Sequence, residues 1–146
     1  MATSFVKYRE FGFWAKDSFL EGLLYLSVRE LKVKVSNKEW LVDIVEDWIF
    51  ASTVGYVGCI PVDLDKKFDS EEKRLLLISV LQNIIASLET EDNYLTVEEL
   101  NKNKIGTGGW QKINTNGFID TAKQMLKLMS GDLRTNASSP IDYLEN

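Results

Sequence analysis

Apolar side chains recur every three or four residues over four stretches of this chain, the spacing that lines one face of a helix at about 100° per residue. In the first stretch Phe19, Leu20, Leu23, Leu24 and Leu31 share an arc, with Glu21, Arg29 and Lys32 opposite. Its end is open, because Leu31-Lys-Val-Lys-Val35 alternates at period two and fits either helix or a short extended segment. The second stretch, from Glu39 to about Ser52, places Trp40, Leu41, Ile44, Val45 and Trp48 on the inward side. The third, from Glu71 to about Leu88, is apolar nearly all round through Leu75, Leu76, Leu77, Ile78, Val80, Leu81, Ile84 and Ile85, which predicts a central helix. The last runs from about Gly117 to Ser130, with Phe118, Ile119, Ala122, Met125, Leu126 and Met129 on one stripe and Gly131 as its stop.

Capping chemistry supports these boundaries. Ser18 to Glu21, Ser36 to Glu39, Asp69 to Glu72 and Thr96 to Glu99 each carry a short oxygen-bearing side chain three residues before a glutamate. Asn114-Thr-Asn116 supplies similar chemistry ahead of the last helix. Gly55-Tyr-Val-Gly-Cys-Ile-Pro61 and Gly106-Thr-Gly-Gly109 read as loops. The expected fold is all-α: one compact helical domain over residues 1–131, built of about four to five helices, with a flexible C-terminal tail over 132–146.

Composition narrows the function classes. A chain of 146 residues, 45% of them hydrophobic, suits one core and not two. The formal charge of −5 disfavours nucleic acid as a partner, since phosphate neutralisation needs clustered lysine and arginine, and favours a basic protein. One cysteine, Cys59, cannot make an internal disulfide, and among Val57, Gly58 and Ile60 it reads as a small buried residue in a reducing compartment, taken as the cytoplasm. No run approaches a membrane span, and no export signal opens the sequence.

The absence of histidine excludes serine–histidine and cysteine–histidine catalysis and histidine-bearing metal sites in one step. Gly106-Thr-Gly-Gly109 lacks the lysine and hydroxyl spacing of a phosphate loop and reads as a turn. No cofactor, resident metal or catalytic residue is expected. Asp63, Asp65 and Asp69 lack the glycine and terminal glutamate of a calcium loop and read as loop acidity that extends a binding face.

The most informative surface is on the second helix. Glu39, Asp43, Glu46 and Asp47 fall in an arc of about 100° opposite the tryptophans, with Phe50 inside it. Such a row repels itself by a few tenths of a kcal/mol per pair, so helix stability does not account for it. Three readings compete: a solvated face with Phe50 covered by a terminal segment, a partner-binding face anchored by Phe50, or a Mg²⁺ site completed by Glu71 or Glu72. Tyr56 and Trp110 either join the binding face or fold back onto the core.

Phe11-Gly-Phe-Trp14 followed by Asp17, then Trp48 leading to Gly55-Tyr-Val-Gly-Cys-Ile60, and Gly106-Thr-Gly-Gly109, together resemble small bacterial immunity proteins of polymorphic or contact-dependent toxin systems, over about the first two-thirds of the chain. The resemblance implies a non-enzymatic cytoplasmic protein that binds one toxin domain and blocks its active site or substrate access. It transfers no binding residue. The expected contacts are therefore those read from the residues: Glu39, Asp43, Glu46, Asp47, Phe50, Tyr56, Asp63, Asp65 and Trp110. A Mg²⁺-dependent nucleotide or phosphate hydrolase using the carboxylate row, and a module that self-associates near Phe50, Tyr56 or Trp110, are the alternatives.

Overall fold

The chain begins with sheet, not helix. In a computed structural model describing residues 2–34 and 38–138, Thr3–Tyr8 (β1) and Phe11–Lys16 (β2) form an antiparallel hairpin in register from Thr3 opposite Lys16 to Tyr8 opposite Phe11. Alternation drives it: Ser4, Val6 and Tyr8 turn inward from β1, and Phe13 and Ala15 from β2. The all-α expectation is corrected accordingly, to a mostly helical fold carrying one small two-stranded sheet.

Six helices follow among the described residues: Asp17–Lys34 (α1), Glu39–Thr53 (α2), Leu64–Lys67 (α3), Glu71–Thr90 (α4), Val97–Lys102 (α5) and Thr115–Ser130 (α6), with a 3-10 turn at Ile105–Thr107. Leu31 to Lys34 are helical, while Val35 and the proposed cap Ser36 lie outside the described residues. The caps at Thr96 and Asn114 form as expected, accepting from the amides of Glu99 and Gly117. At α4 the cap is Ser70, which accepts from Lys73, one residue beyond the expected Asp69. Gly131 ends α6 at φ 83°.

The central helix is α1, not α4. It packs against β2, α2, α4, α6 and the 3-10 turn, whereas α4 packs chiefly on α6 and α1. Leu20, Leu23, Leu24, Leu26 and Leu31 of α1 are fully buried, while Leu75 of α4 is half exposed. Close approach of α1 and α6 depends on Gly22, where an added Cβ would lie 2.3 Å from a ring carbon of buried Phe118. Trp48 of α2 sits in the core beside Phe68, its indole N–H donating to the Val62 carbonyl at 2.9 Å.

Residues 132–138, read from sequence as the start of a tail, lie along the outer edge of β2. The Gly12 amide donates to the Thr135 carbonyl at 3.0 Å, the Thr135 hydroxyl donates to the Gly12 carbonyl at 2.6 Å, and the Trp14 indole donates to the Ala137 carbonyl at 3.0 Å. These contacts cover a strand edge that would otherwise be open to another chain. The rest of the expected tail, 139–146, lies outside the described residues. Among the described residues no helix is long and apolar enough to cross a membrane.

Candidate functional site

Two surfaces have the composition of a site. The first is the outer face of α2. Burying Leu41, Ile44, Trp48 and Ala51 turns Val42, Ile49, Phe50 and Val54 outward, and these are 54%, 39%, 56% and 46% exposed. Phe50 is 56% exposed, so the described parts of the termini do not cover it, and among the described aromatic contacts its ring meets the edge of Tyr56, centroid to centroid 6.2 Å. Glu39, Asp43 and Glu46 stand on the same face and have no ion pair or hydrogen bond among the described residues. A cavity of about 220 Å³ opens at its flank, where Ile49, Ser52 and Thr53 meet Tyr25, Val28 and Arg29 of α1.

The floor of that small cavity is cross-linked by side-chain contacts. Arg29 pairs with Glu99 at 2.7 Å and donates to the Tyr94 carbonyl at 2.8 Å, and Tyr25 donates to the same Glu99 carboxylate. Burial first, then the hydrogen bond to Glu99, pushes the Tyr25 phenol up to about 12, so it stays neutral and donating across the physiological range.

The remaining acids expected at the site are occupied. Asp47 holds Lys67 at 2.8 Å, and Lys67 also lies 3.9 Å from Asp63. Asp65 accepts from the Arg9 amide at 2.6 Å and pairs with Lys7 at 3.1 Å, so it pins the β1–β2 turn. Asp69 pairs with Lys73, Glu71 with Arg74, and Glu72 with Lys38. Asp63, Asp65 and Asp69 thus each face a different lysine. Among the described residues no group of three or more acidic or cysteine side chains gathers closely enough to hold a metal ion. Cys59 is exposed rather than buried, because the loop carries Val57, Gly58 and Cys59 outward and turns only Ile60 and Val62 to the core.

The second surface was not legible as a site. Glu21, placed on the polar side of α1 by periodicity, is 6% exposed and borders an open cleft of about 670 Å³ lined by Ser18, Gly106, Gly108, Gly109, Trp110 and Lys112. Its carboxylate makes no hydrogen bond or ion pair among the described residues. Burial first, and the neighbouring Asp17 carboxylate second, push Glu21 up to about 7. Asp17 itself accepts from the Ser4 hydroxyl at 2.6 Å and the Gly58 amide at 2.7 Å.

Trp110 belongs to this cleft. Its indole donates to the Ile105 carbonyl at 2.9 Å and its ring stacks toward Phe118, so it is half folded onto the core and half available. Tyr56 is likewise partly buried beside Phe50. One sequence signal bore on Glu21: apolar Val28, seven residues on, shares nearly the same stripe of α1, and the structure buries both. No family model, characterised protein or solved structure matches this chain.

Proposed function

We propose that this chain is a non-enzymatic binding protein whose outer α2 face engages a basic protein partner, and that it acts in the cytoplasm as an immunity-type inhibitor of a toxin domain. The observation that carries the reading is the mixture on α2 and its C-cap: four exposed apolar side chains, Val42, Ile49, Phe50 and Val54, among three carboxylates without an ion pair among the described residues, Glu39, Asp43 and Glu46. Apolar groups at the centre of such a face supply desolvated anchors, and the flanking acids steer and select a cationic surface. The cavity beside Ile49 gives a partner side chain a place to insert.

Self-association through the same face is disfavoured, because two copies meeting there would set like charges against each other. Of the carboxylates named for the hydrolase alternative, Asp47 of the row and both Glu71 and Glu72, either of which was to complete it, are each paired with a cation of the chain itself. The test is affinity capture with the tagged chain from its native cytoplasm, including the product encoded immediately upstream. Recovery of one stoichiometric basic domain supports the proposal; recovery of only acidic partners or none contradicts it.

A further inference from the structure

Taking a carboxylate out of water is costly unless charge or hydrogen bonds replace the lost hydration. Glu21 receives neither from the described residues: the charge that acts on it is Asp17, which is negative and committed to Ser4 and Gly58. The residue nevertheless lines the open cleft. Gly106, at φ +60°, passes so close that an added Cβ would lie 2.9 Å from Glu21 Oε1, while at Gly108 and Gly109 an added Cβ would meet nothing within 4 Å. Gly106 is thus the backbone that lies against the carboxylate, while Gly108, Gly109 and Trp110 border the same open cleft and leave its flank uncrowded.

We propose that this cleft is a binding site for a guanidinium or alkylammonium group, seated on the Glu21 carboxylate with its apolar stem along Trp110. Such a cation supplies the charge and the N–H donors that Glu21 lacks. Lys112, exposed at the rim, opposes a second cation near the mouth and suits a ligand whose far end is neutral or anionic. The cation competes with a proton for Glu21, and the charged groups lining that competition are Asp17 on α1 and Lys112 across the cleft. Binding consequently strengthens about tenfold from pH 6 to pH 8 as Glu21 ionises. The inference is independent of the α2 face, whose residues it does not use.

The experiment is an NMR titration of protein labelled at the glutamate carboxyl and tryptophan indole positions. L-arginine is the small-molecule probe, L-citrulline its uncharged control, and an arginine-containing basic peptide the polypeptide probe. The expected result is a saturable shift of the Glu21 carboxyl and Trp110 indole resonances with L-arginine, about tenfold weaker at pH 6, absent with L-citrulline and lost in Glu21→Gln. A response to the peptide alone, lost in the same variant, supports the site and assigns the cation to a polypeptide side chain. No saturable shift with either probe, or equal binding by Glu21→Gln of native circular dichroism, overturns it. Glu21→Gln removes a buried unpaired charge and keeps the side chain's shape, so the variant folds.

Discussion

Replacing Glu21 by glutamine should stabilise the protein above neutral pH and do almost nothing in mild acid. The carboxyl is pushed from an ordinary 4.5 to about 7 in the folded state, first by burial and then by Asp17. A raised folded-state pKa means that the native protein binds this proton more tightly than the unfolded chain does. The associated stability is therefore fully present below about pH 4.5 and is lost as pH rises through 7. That interval corresponds to about 3 kcal/mol at full burial. Water entering the open cleft reduces the cost, which leaves about 1–3 kcal/mol. Urea unfolding followed by tryptophan fluorescence at about pH 5, 7 and 8.5 measures it. The parent should lose stability relative to Glu21→Gln by about 1–3 kcal/mol across that range, with the variants converging toward the acid end. Parallel pH profiles for the two proteins would show that Glu21 is not desolvated in the native state and would refute the reasoning.

Two further perturbations probe the frame that holds the sites. Asp65→Ala removes the acceptor of the Arg9 amide and the partner of Lys7, so it should destabilise the hairpin by about 1–2 kcal/mol and speed hydrogen exchange at the Arg9 amide, measurable by NMR. Gly22→Ala forces a methyl group against the Phe118 ring between α1 and α6 and should cost about 1–3 kcal/mol in urea unfolding, with a disturbed Phe118 ring resonance.

The long helices were readable because each buries a stripe at the period its sequence carries: α2 turns Leu41, Ile44 and Trp48 inward, and α6 turns Phe118, Ala122 and Met125. The same one-face logic failed at α1. That helix is packed by β2, α2, α4 and α6 and also by the 3-10 turn at Ile105–Thr107, whose Gly106 lies against the Glu21 carboxylate, so Glu21 falls under cover although periodicity sets it opposite the leucines. The hairpin was missed for a different reason. Its two-residue turn, Arg9-Glu10, has none of the glycine or asparagine that favours a positive φ, yet Arg9 adopts φ 58°. Asp65, 56 positions away, holds that turn through the Arg9 amide, and no local pattern reports a contact so distant in sequence. The α2 face was legible as a row of acids with Phe50 among them. That Asp47, Asp63 and Asp65 are held by lysines, whereas Glu39, Asp43 and Glu46 stand free of ion pairs among the described residues, depends on tertiary placement.

The central claim is that the outer face of α2 binds a basic partner, and charge reversal there tests it most directly. Asp43→Lys/Glu46→Lys should be compared with Asp92→Lys/Asp120→Lys, which changes the net charge equally at exposed positions elsewhere. All four substitutions lie on exposed acids without ion pairs among the described residues, and each pair should leave the fold intact, checked by circular dichroism and thermal unfolding. With the captured partner in a calorimetric titration, the account predicts that Asp43→Lys/Glu46→Lys weakens binding at least tenfold while Asp92→Lys/Asp120→Lys stays within about threefold of the parent. Equal affinity for the two folded variants would contradict it.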